Sequence, residues 1–210
     1  MFKKWKKYLS ETENMHKDIQ IYCDMDGVLV NFESGTVDYI NLDLSTPSRV
    51  PKEFSKLFQK LQRKLESLGR DQEIEISDLS RDPERRIQEV RRYMYRRLED
   101  DFEFWQNLPW TEDGKSLWTY LSGLSPQVKI LTAPMQGEGS RNGKISWVQN
   151  NLGKQYDIIL EEDKWKHSAN NRLLIDDTFE KVKGWADKGG LVIHHINAGD
   201  TLTELKDLIK

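Results

Sequence analysis

The chain has 210 residues, 32% of them charged and 10% aromatic, a composition that excludes a disordered chain and allows one core with a small inserted module. Its 32 basic and 35 acidic residues leave a formal net charge of −3, which gives no case for nucleic acid or a membrane surface as the main partner. The one cysteine, Cys23, excludes an internal disulfide framework.

The first eighteen residues are basic but lack the apolar core of a signal peptide. Phe2, Trp5 and Leu9 could form a short amphipathic helix on an anionic surface, and the favoured alternative is a terminal segment packed on the domain. No later stretch approaches the about 20 apolar residues of a membrane span. Together with the single cysteine, these features predict a cytoplasmic protein without a membrane partner.

The first predicted strand ends on two aspartates that lie one residue apart. The apolar run at 21–23 predicts a buried strand, Asp24 and Asp26 follow at its carboxyl end, and Gly27 comes directly afterwards. Charges at the end of a buried strand are costly unless something compensates them, so these carboxylates require a partner. Gly27 allows the chain to turn sharply away and lets its backbone approach a phosphate.

The following segment, 31–108, has a mainly helical pattern. Apolar residues recur at helical spacing over 54–68 and a glycine follows them, while EIEIS at 73–77 is a candidate edge strand. A second helix is predicted from Asp82 to Leu98, with proline in its first turn and arginines on its outer face. Such a face is most often solvated and paired with acidic residues, and a groove for nucleic acid is the less favoured alternative.

From residue 109 onward, strands and helices alternate. Strands are predicted at 127–132, 156–160, 172–175 and 190–195, and helices at 112–122, 143–153, 178–188 and 200–209. Apolar strands separated by such helices predict a parallel sheet covered on both faces, which is a doubly wound α/β fold. The first strand joins this sheet. Residues 1–30 and 109–210 therefore form the predicted core, and residues 31–108 form a cap inserted after the first strand.

Polar side chains end three of the predicted strands, at the edge where an open parallel sheet binds its ligands. The first strand delivers Asp24 and Asp26, the strand at 127–132 delivers Thr132, and the strand at 172–175 delivers Asp176 and Asp177. Four converging carboxylates would repel each other unless a cation neutralised them, and hard oxygen ligands select Mg²⁺.

These residue types predict phosphoryl transfer to a carboxylate. With Mg²⁺ and a lysine, Lys164 or Lys166, neutralising a phosphate, Asp24 could attack phosphorus and form an aspartyl-phosphate. Asp26 would protonate the leaving oxygen and later deprotonate the water that hydrolyses the intermediate. Thr132 and adjacent backbone amides would hold a phosphoryl oxygen.

The segments DMDGV, ILTA and LLIDD, with a lysine before the last, resemble in order the four motifs of the haloacid dehalogenase (HAD) superfamily of phosphohydrolases. The resemblance covers about 18–30 and 109–210 and implies a HAD-like, Rossmann-type core. It implies a nucleophile at Asp24, an acid/base at Asp26, phosphate binding at Thr132 and the lysine, and Mg²⁺ held by Asp24, the Asp26 carbonyl and the pair Asp176 and Asp177.

Within that superfamily, the sequence looks most like the 5'(3')-deoxyribonucleotidases, Mg²⁺-dependent phosphatases with a helical cap after the first strand. The segments FEFWQNLPWTEDG, LTAP, GKISWVQNNLG and EEDKWKHSANNRLLIDD carry this likeness. It implies aromatic rings that stack on the base, at Phe32, Phe104 and Trp105. Its lysine spacing favours Lys166, whereas the local DK context favours Lys164, and Lys166 is preferred as the catalytic residue.

Some of these residues have an equally simple structural explanation. Phe104 and Trp105 could pack inside the cap instead of stacking on a base. For Lys144, a solvated helix residue is favoured over a second phosphate contact. His194 is interpreted as a residue at the end of a strand or on the surface. The predicted substrate contacts are Gly27, Phe32, Phe104, Trp105, Ala133, Lys144 and Lys164.

The prediction is thus a Mg²⁺-dependent phosphomonoesterase that acts on a small molecule, a (deoxy)nucleoside monophosphate. The alternatives are a phosphatase of nucleic-acid 3' ends, a phosphatase of small sugar phosphates, and a non-catalytic nucleotide-binding module. The complete set of carboxylates, threonine and lysine speaks against the last of these.

Overall fold

A computed structural model of the chain describes residues 19–70, 72–124 and 127–209. The helix considered for Phe2 and Leu9 lies outside these residues. Among the helices of the described ranges, none combines the length and the apolar character needed to cross a bilayer.

The described residues form two compact units. The core unit contains the chain up to Val30, Trp110–Ala133 and the chain from Val148 onward, and the cap unit contains Asn31–Pro109 and Pro134–Trp147. The strands are β1 (Gln20–Cys23), β2 (Lys129–Thr132), β3 (Ile158–Leu160), β4 (Arg172–Asp176) and β5 (Leu191–His194). The α-helices are α1 (Phe32–Ser45), α2 (Ser55–Ser67), α3 (Gln88–Leu98), α4 (Phe102–Gln106), α5 (Gly114–Leu121), α6 (Glu138–Asn151), α7 (Phe179–Ala186) and α8 (Ala198–Leu208).

The five described strands make one parallel sheet in the order β3-β2-β1-β4-β5. On β1, Tyr22 lies beside Lys129 of β2 and Leu174 of β4, so the first strand sits at the centre of the sheet. The strand order reverses at β1, which is where ligands bind in open sheets of this type. The predicted α/β fold with a parallel sheet is confirmed.

The cap unit is helical, as predicted, but two of its elements differ from the sequence prediction. Residues 73–77 do not form a strand, because Ile76–Leu79 is a short 3-10 helix whose first turn is capped by the side chains of Glu75 and Asp78. The helix expected from Asp82 begins at Gln88 instead. The backbone N–H of Ile87 donates to the Asp78 carbonyl at 3.1 Å, and this bond to an earlier turn holds 82–87 out of helical geometry.

A buried polar network joins the helices of the cap unit. Asp43 on α1 accepts from the Tyr93 hydroxyl at 2.7 Å and from Arg97 Nε at 3.2 Å. Arg97 also donates to Asp101 at 3.0 Å, and the Tyr39 hydroxyl donates to the same carboxylate. Because the Asp43 charge is fully buried, it depends on these donors, which fix α1 against α3.

The segment 134–147 belongs to the cap unit, although the sequence analysis assigns it to the core. The Ser140 N–H donates to the Glu99 carbonyl at 3.0 Å, which ties α6 to the end of the cap. A Cβ added at Gly139 would overlap the Asp100 backbone, and one added at Gly143 would overlap Trp105. These two glycines allow α6 to lie close to Asp100 and Trp105, so residues 134–147 belong to the cap unit and not to the core as expected from the sequence.

The Gly139→Ala variant is expected to lower the free energy of unfolding by about 2 kcal/mol, because overpacking against backbone forces the helix away. Without this steric contact, alanine in place of glycine would stabilise a helix by about 1 kcal/mol. A lower free energy of unfolding in Gly139→Ala would therefore indicate the overlap with the Asp100 backbone. Urea denaturation measures the change. Gly123→Ala is the control, since its Cβ would lie an ordinary 3.5 Å from the Tyr120 carbonyl oxygen. Equal stability of the two variants would contradict the prediction.

Candidate active site

Three strands of the core unit bring polar side chains to one edge of the sheet. Asp24 follows β1, Thr132 ends β2 and Asp176 ends β4, and β1 lies between the other two strands. Asp24 is 6% exposed, and Thr132 and Asp176 are fully buried. Because the strands are parallel, their carboxyl ends meet, so three distant parts of the sequence meet at one edge of the sheet.

Lys164 lies between the two buried carboxylates. Its Nζ is 2.7 Å from Asp24 Oδ1 and 2.6 Å from Asp176 Oδ2, and the residue is 2% exposed. Burial opposes its charge, but Asp24 and Asp176 outweigh that effect and raise the pKa of Lys164 above its ordinary value. The lysine is therefore a cation at neutral pH and binds both carboxylates.

The structure places Lys166, the lysine preferred from the sequence, away from these two carboxylates. Lys166 is exposed, and its Nζ contacts Glu161 at 3.3 Å and Asp163 at 3.1 Å. Both lysines lie in the 3-10 helix Lys164–His167. Residues two apart in a helix with three residues per turn point in different directions, so only one of this pair can reach the sheet edge. That residue is Lys164.

An acidic group suited to a cation lies at the same edge. Asp24, Asp176 and Asp177 each offer a carboxylate oxygen, and these atoms lie within 4.8 Å of one another. Burial and then the Asp24 charge raise the pKa of Asp176 to about 7, against the opposing effect of Lys164. Partial removal of the Asp177 carboxyl from water and then the Asp24 charge raise the pKa of Asp177 to about 6.

Burial is the first cause of both shifts, and repulsion by the Asp24 charge adds to it. The three carboxylates also carry more negative charge than Lys164 neutralises, so a second cation would stabilise their charged forms. Carboxylate oxygens are the ligands that Mg²⁺ prefers, and the donor set therefore fits the predicted metal. The half-buried Asp26 carboxylate is not part of this three-residue group.

The loop after β1 is shaped by a glycine. Gly27 has φ +75°, and its N–H donates to the Val30 carbonyl at 2.8 Å to close the turn. A Cβ at this position would overlap the Asp177 carboxylate. Both the backbone angle and the close approach exclude a side chain here, and this agrees with the sharp turn expected after β1. At the end of β2, Ala133 is half-buried beside Thr132.

The aromatic residues predicted to stack on a base are packed against one another in the cap unit. The rings of Phe32 and Trp105 are stacked with centroids 5.3 Å apart, and Phe104 meets both edge-on. Phe104 is 7% exposed and Trp105 1% exposed, and the Trp105 indole donates to the Leu98 carbonyl at 2.7 Å. Phe104 and Trp105 are thus buried by packing within the cap unit, whereas Phe32 is half-buried, and the contact of these rings with a base stays a prediction.

Lys144 is fully buried, so its interpretation as a solvated helix residue is wrong. Its Nζ lies 4.9 Å from the centroid of the Trp105 ring, within the range of a cation–π contact. The contact of Lys144 with phosphate stays a prediction.

Two residues beside the acidic group were not assigned a function from the sequence. His194 ends β5, is exposed as expected, and its Nε2 lies 2.9 Å from the Asp177 carbonyl oxygen. Phe179, the first residue of α7, is 59% exposed. The sequence does place a large aromatic residue, Phe179, two positions after the aspartate pair. An apolar residue at the start of a predicted helix is usually buried, however, so the sequence did not indicate that this side chain is exposed.

Comparisons with known proteins gave similarity at the level of structure alone. No family model matches the chain, and no curated protein matches its sequence. A hydrolase from Streptococcus pneumoniae TIGR4 is 10% identical, covers 90% of this chain and 99% of its own, and has a TM-score of 0.48. A haloacid dehalogenase-like family hydrolase from Xanthomonas campestris is 13% identical over 91% of this chain and 96% of its own, with a TM-score of 0.49.

A HAD-hydrolase from Bacillus subtilis, whose structure holds magnesium, is 13% identical over 92% of this chain and 99% of its own, with a TM-score of 0.46. The structures similar to this chain thus include HAD-superfamily hydrolases.

Proposed function

We propose that the chain is a HAD-type, Mg²⁺-dependent phosphomonoesterase that acts on (deoxy)nucleoside monophosphates. The observation that carries this proposal is the contact of Lys164 Nζ with both Asp24 and Asp176, at 2.7 and 2.6 Å, beside the third carboxylate of Asp177. A buried lysine between carboxylates at the edge of a parallel sheet provides a nucleophile together with a cation for the phosphate.

Asp24 is the proposed nucleophile. Its backbone N–H donates to the Ile175 carbonyl at 2.9 Å, and one of its carboxylate oxygens accepts the Met25 N–H at 2.7 Å, so the side chain is held in place. Attack by a carboxylate oxygen on phosphorus breaks the ester bond and forms an aspartyl-phosphate. Asp26 donates a proton to the leaving oxygen, then accepts one from the water that attacks the phosphorylated Asp24 and releases phosphate.

The remaining residues of the site stabilise charge. Thr132 would donate its hydroxyl hydrogen to a phosphoryl oxygen, and Lys164 would neutralise part of the phosphate charge. Asp24, Asp176, Asp177 and the Asp26 carbonyl would hold Mg²⁺, which acts as a Lewis acid on the phosphoryl oxygens when it is bound.

The experiment that tests this function is a phosphatase panel with and without Mg²⁺. It includes nucleoside monophosphates, deoxynucleoside monophosphates, sugar phosphates and 3'-phosphorylated oligonucleotides. The proposal expects release of phosphate from mononucleotides at the highest kcat/KM, and no release after chelation of the metal. A higher kcat/KM for sugar phosphates would show that nucleotides are not the preferred substrates. Absence of phosphate release from every ester would reject the proposal that the protein is a phosphatase.

A phosphatase of nucleic-acid 3' ends is the second candidate. The observation in its favour is that Arg92 and Arg96 on α3 are exposed, although Arg96 pairs with Glu99 at 3.0 Å. Neutralisation of backbone phosphates by such residues would make the reaction steeply dependent on salt. Release from the oligonucleotides that matches or exceeds release from mononucleotides, and that falls strongly between low and high salt, would favour this candidate.

Binding of Mg²⁺ is expected to strengthen by at least about tenfold between pH 5 and pH 8, because Asp176 and Asp177, with pKa values of about 7 and 6, must lose protons to bind the ion. Their ordinary pKa is 3.8, so from about pH 4 to 7 these two carboxyl groups hold more protons in the folded protein than in the unfolded chain. Without metal, their contribution to the free energy of unfolding therefore falls as the pH rises through this window.

Titration calorimetry with MgCl2 at both pH values measures this effect. Urea denaturation of the metal-free protein at pH 5 and pH 7 measures the change in stability. The Asp187→Asn variant, which alters an exposed carboxylate paired with Lys183, serves as the control and should keep the same pH dependence. A Mg²⁺ affinity that does not change with pH would contradict the assignment of these two ligands.

A further inference from the structure

Phe179 exposes a large aromatic ring beside the acidic group of the core unit. It is 59% exposed, although phenylalanine is a residue that proteins usually bury. It follows Asp177 by two residues, a separation of chain that spans at most about 7 Å. Phe179 therefore begins α7 close along the chain to the carboxylates proposed to act on a phosphate.

The backbone before Phe179 and the histidine beside its ring both contact the aspartate pair. The backbone N–H of Thr178 donates to Asp176 Oδ1 at 2.9 Å immediately before α7 begins. The His194 ring meets Phe179 edge-on, with centroids 6.0 Å apart and an interplanar angle of 69°. His194 is held in turn, since its Nε2 lies 2.9 Å from the Asp177 carbonyl oxygen. We call Phe179 and His194 the ring platform.

An exposed ring with an open face can stack on a planar group, and this is how proteins hold bases without reading their sequence. Two of the three aromatic residues first considered for this role, Phe104 and Trp105, are buried among other rings. The ring platform instead combines an exposed ring with a histidine that contacts the Asp177 carbonyl, and both residues belong to the core unit.

We propose that Phe179, supported by His194, stacks on the base of the substrate and so selects nucleoside monophosphates over aliphatic phosphate esters. This inference rests on the proposed function and adds to it the residue that recognises the organic part of the substrate. The group recognised is a planar heteroaromatic ring, because stacking depends on the face of the ring and tolerates different bases.

The test compares kcat/KM for a nucleoside monophosphate with kcat/KM for glycerol phosphate. Phe179→Ala is expected to lower the ratio of the two values roughly 10- to 100-fold, whereas Phe179→Trp should keep it. Tyr95→Ala, which removes an aromatic residue of similar exposure on α3, is the matched control and should keep the ratio as well. An unchanged ratio in Phe179→Ala would overturn the proposal.

A second measurement does not depend on turnover. A nucleoside monophosphate is titrated by calorimetry into the Asp24→Asn variant and into the double variant Asp24→Asn with Phe179→Ala. The double variant should bind the nucleotide roughly 10- to 100-fold more weakly than Asp24→Asn alone. Equal affinities would overturn the ring platform even if the wild-type enzyme is active. Activity on no phosphomonoester, with nucleotide binding that still depends on Phe179, would reject the proposed function and support the platform.

Sedimentation of the same proteins examines whether Phe179 instead contacts a second copy of the chain. A wild-type dimer that becomes a monomer in Phe179→Ala would overturn the proposal. An unchanged sedimentation coefficient together with the lowered ratio supports it.

Discussion

Asp24→Asn is expected to lower the rate of phosphate release by at least about 10³-fold, because an amide cannot act as the nucleophile that opens the ester bond. The exchange keeps the shape of the side chain, and one oxygen remains to accept the Met25 N–H that now binds the carboxylate at 2.7 Å. The loss should therefore be in chemistry rather than in folding. Steady-state release of phosphate from a nucleoside monophosphate and from p-nitrophenyl phosphate measures it.

The Asp187→Asn variant provides the matched control, since Asp187 is an exposed aspartate of the same unit whose carboxylate pairs with Lys183 at 2.6 Å. It should release phosphate at the wild-type rate. Thermal unfolding of both variants shows whether the fold is kept. Undiminished release by Asp24→Asn would mean that another group attacks phosphorus and would remove the nucleophile from the proposed reaction.

Lys164→Met is expected to abolish activity and to lower the free energy of unfolding by about 3–5 kcal/mol, the cost of leaving buried charges without their partner. Asp24 and Asp176 would lose the ammonium group that lies 2.7 and 2.6 Å from their oxygens. The destabilisation should be smaller at pH 5 than at pH 8, because Asp176, whose pKa is already raised to about 7, can then accept a proton.

Lys166→Met, two residues away, is the control for this variant. Its ammonium group is exposed and pairs with surface carboxylates, so neither activity nor stability should change measurably. Urea denaturation at the two pH values and the phosphatase assay test both variants. If Lys166→Met lost activity and Lys164→Met kept it, the sequence spacing would have identified the functional lysine and the structural assignment would be wrong.

The sequence by itself determined the sheet and the residues at its edge. Short β-branched runs separated by helical segments predict parallel strands, and the structure pairs β1, β2 and β4 at the positions expected from those runs. Because parallel strands share one carboxyl edge, the residues that end them must be neighbours. The sequence alone therefore predicts that Asp24, Thr132 and Asp176 lie at one edge of the sheet.

Other features were decided only by the tertiary structure. Lys164 and Lys166 are chemically alike, and the direction in which each points depends on a 3-10 helix and on buried carboxylates from two strands. Likewise, Gly139 joins α6 to the cap unit through close contact with a residue 39 positions earlier, Asp100. Contacts between residues so far apart leave no periodic trace in the sequence, so local pattern cannot predict them.

The sequence also could not show which aromatic side chains are buried and which are exposed. Phe, Tyr and Trp are suited both to packing in a core and to binding a ligand, so the residue type alone does not distinguish the two uses. The tertiary structure buries Trp105 among other rings of the cap unit and leaves Phe179 exposed beside Asp177. The sequence fixes which side chains are available at the edge of the sheet, whereas packing over long distances along the chain decides which of them face a substrate.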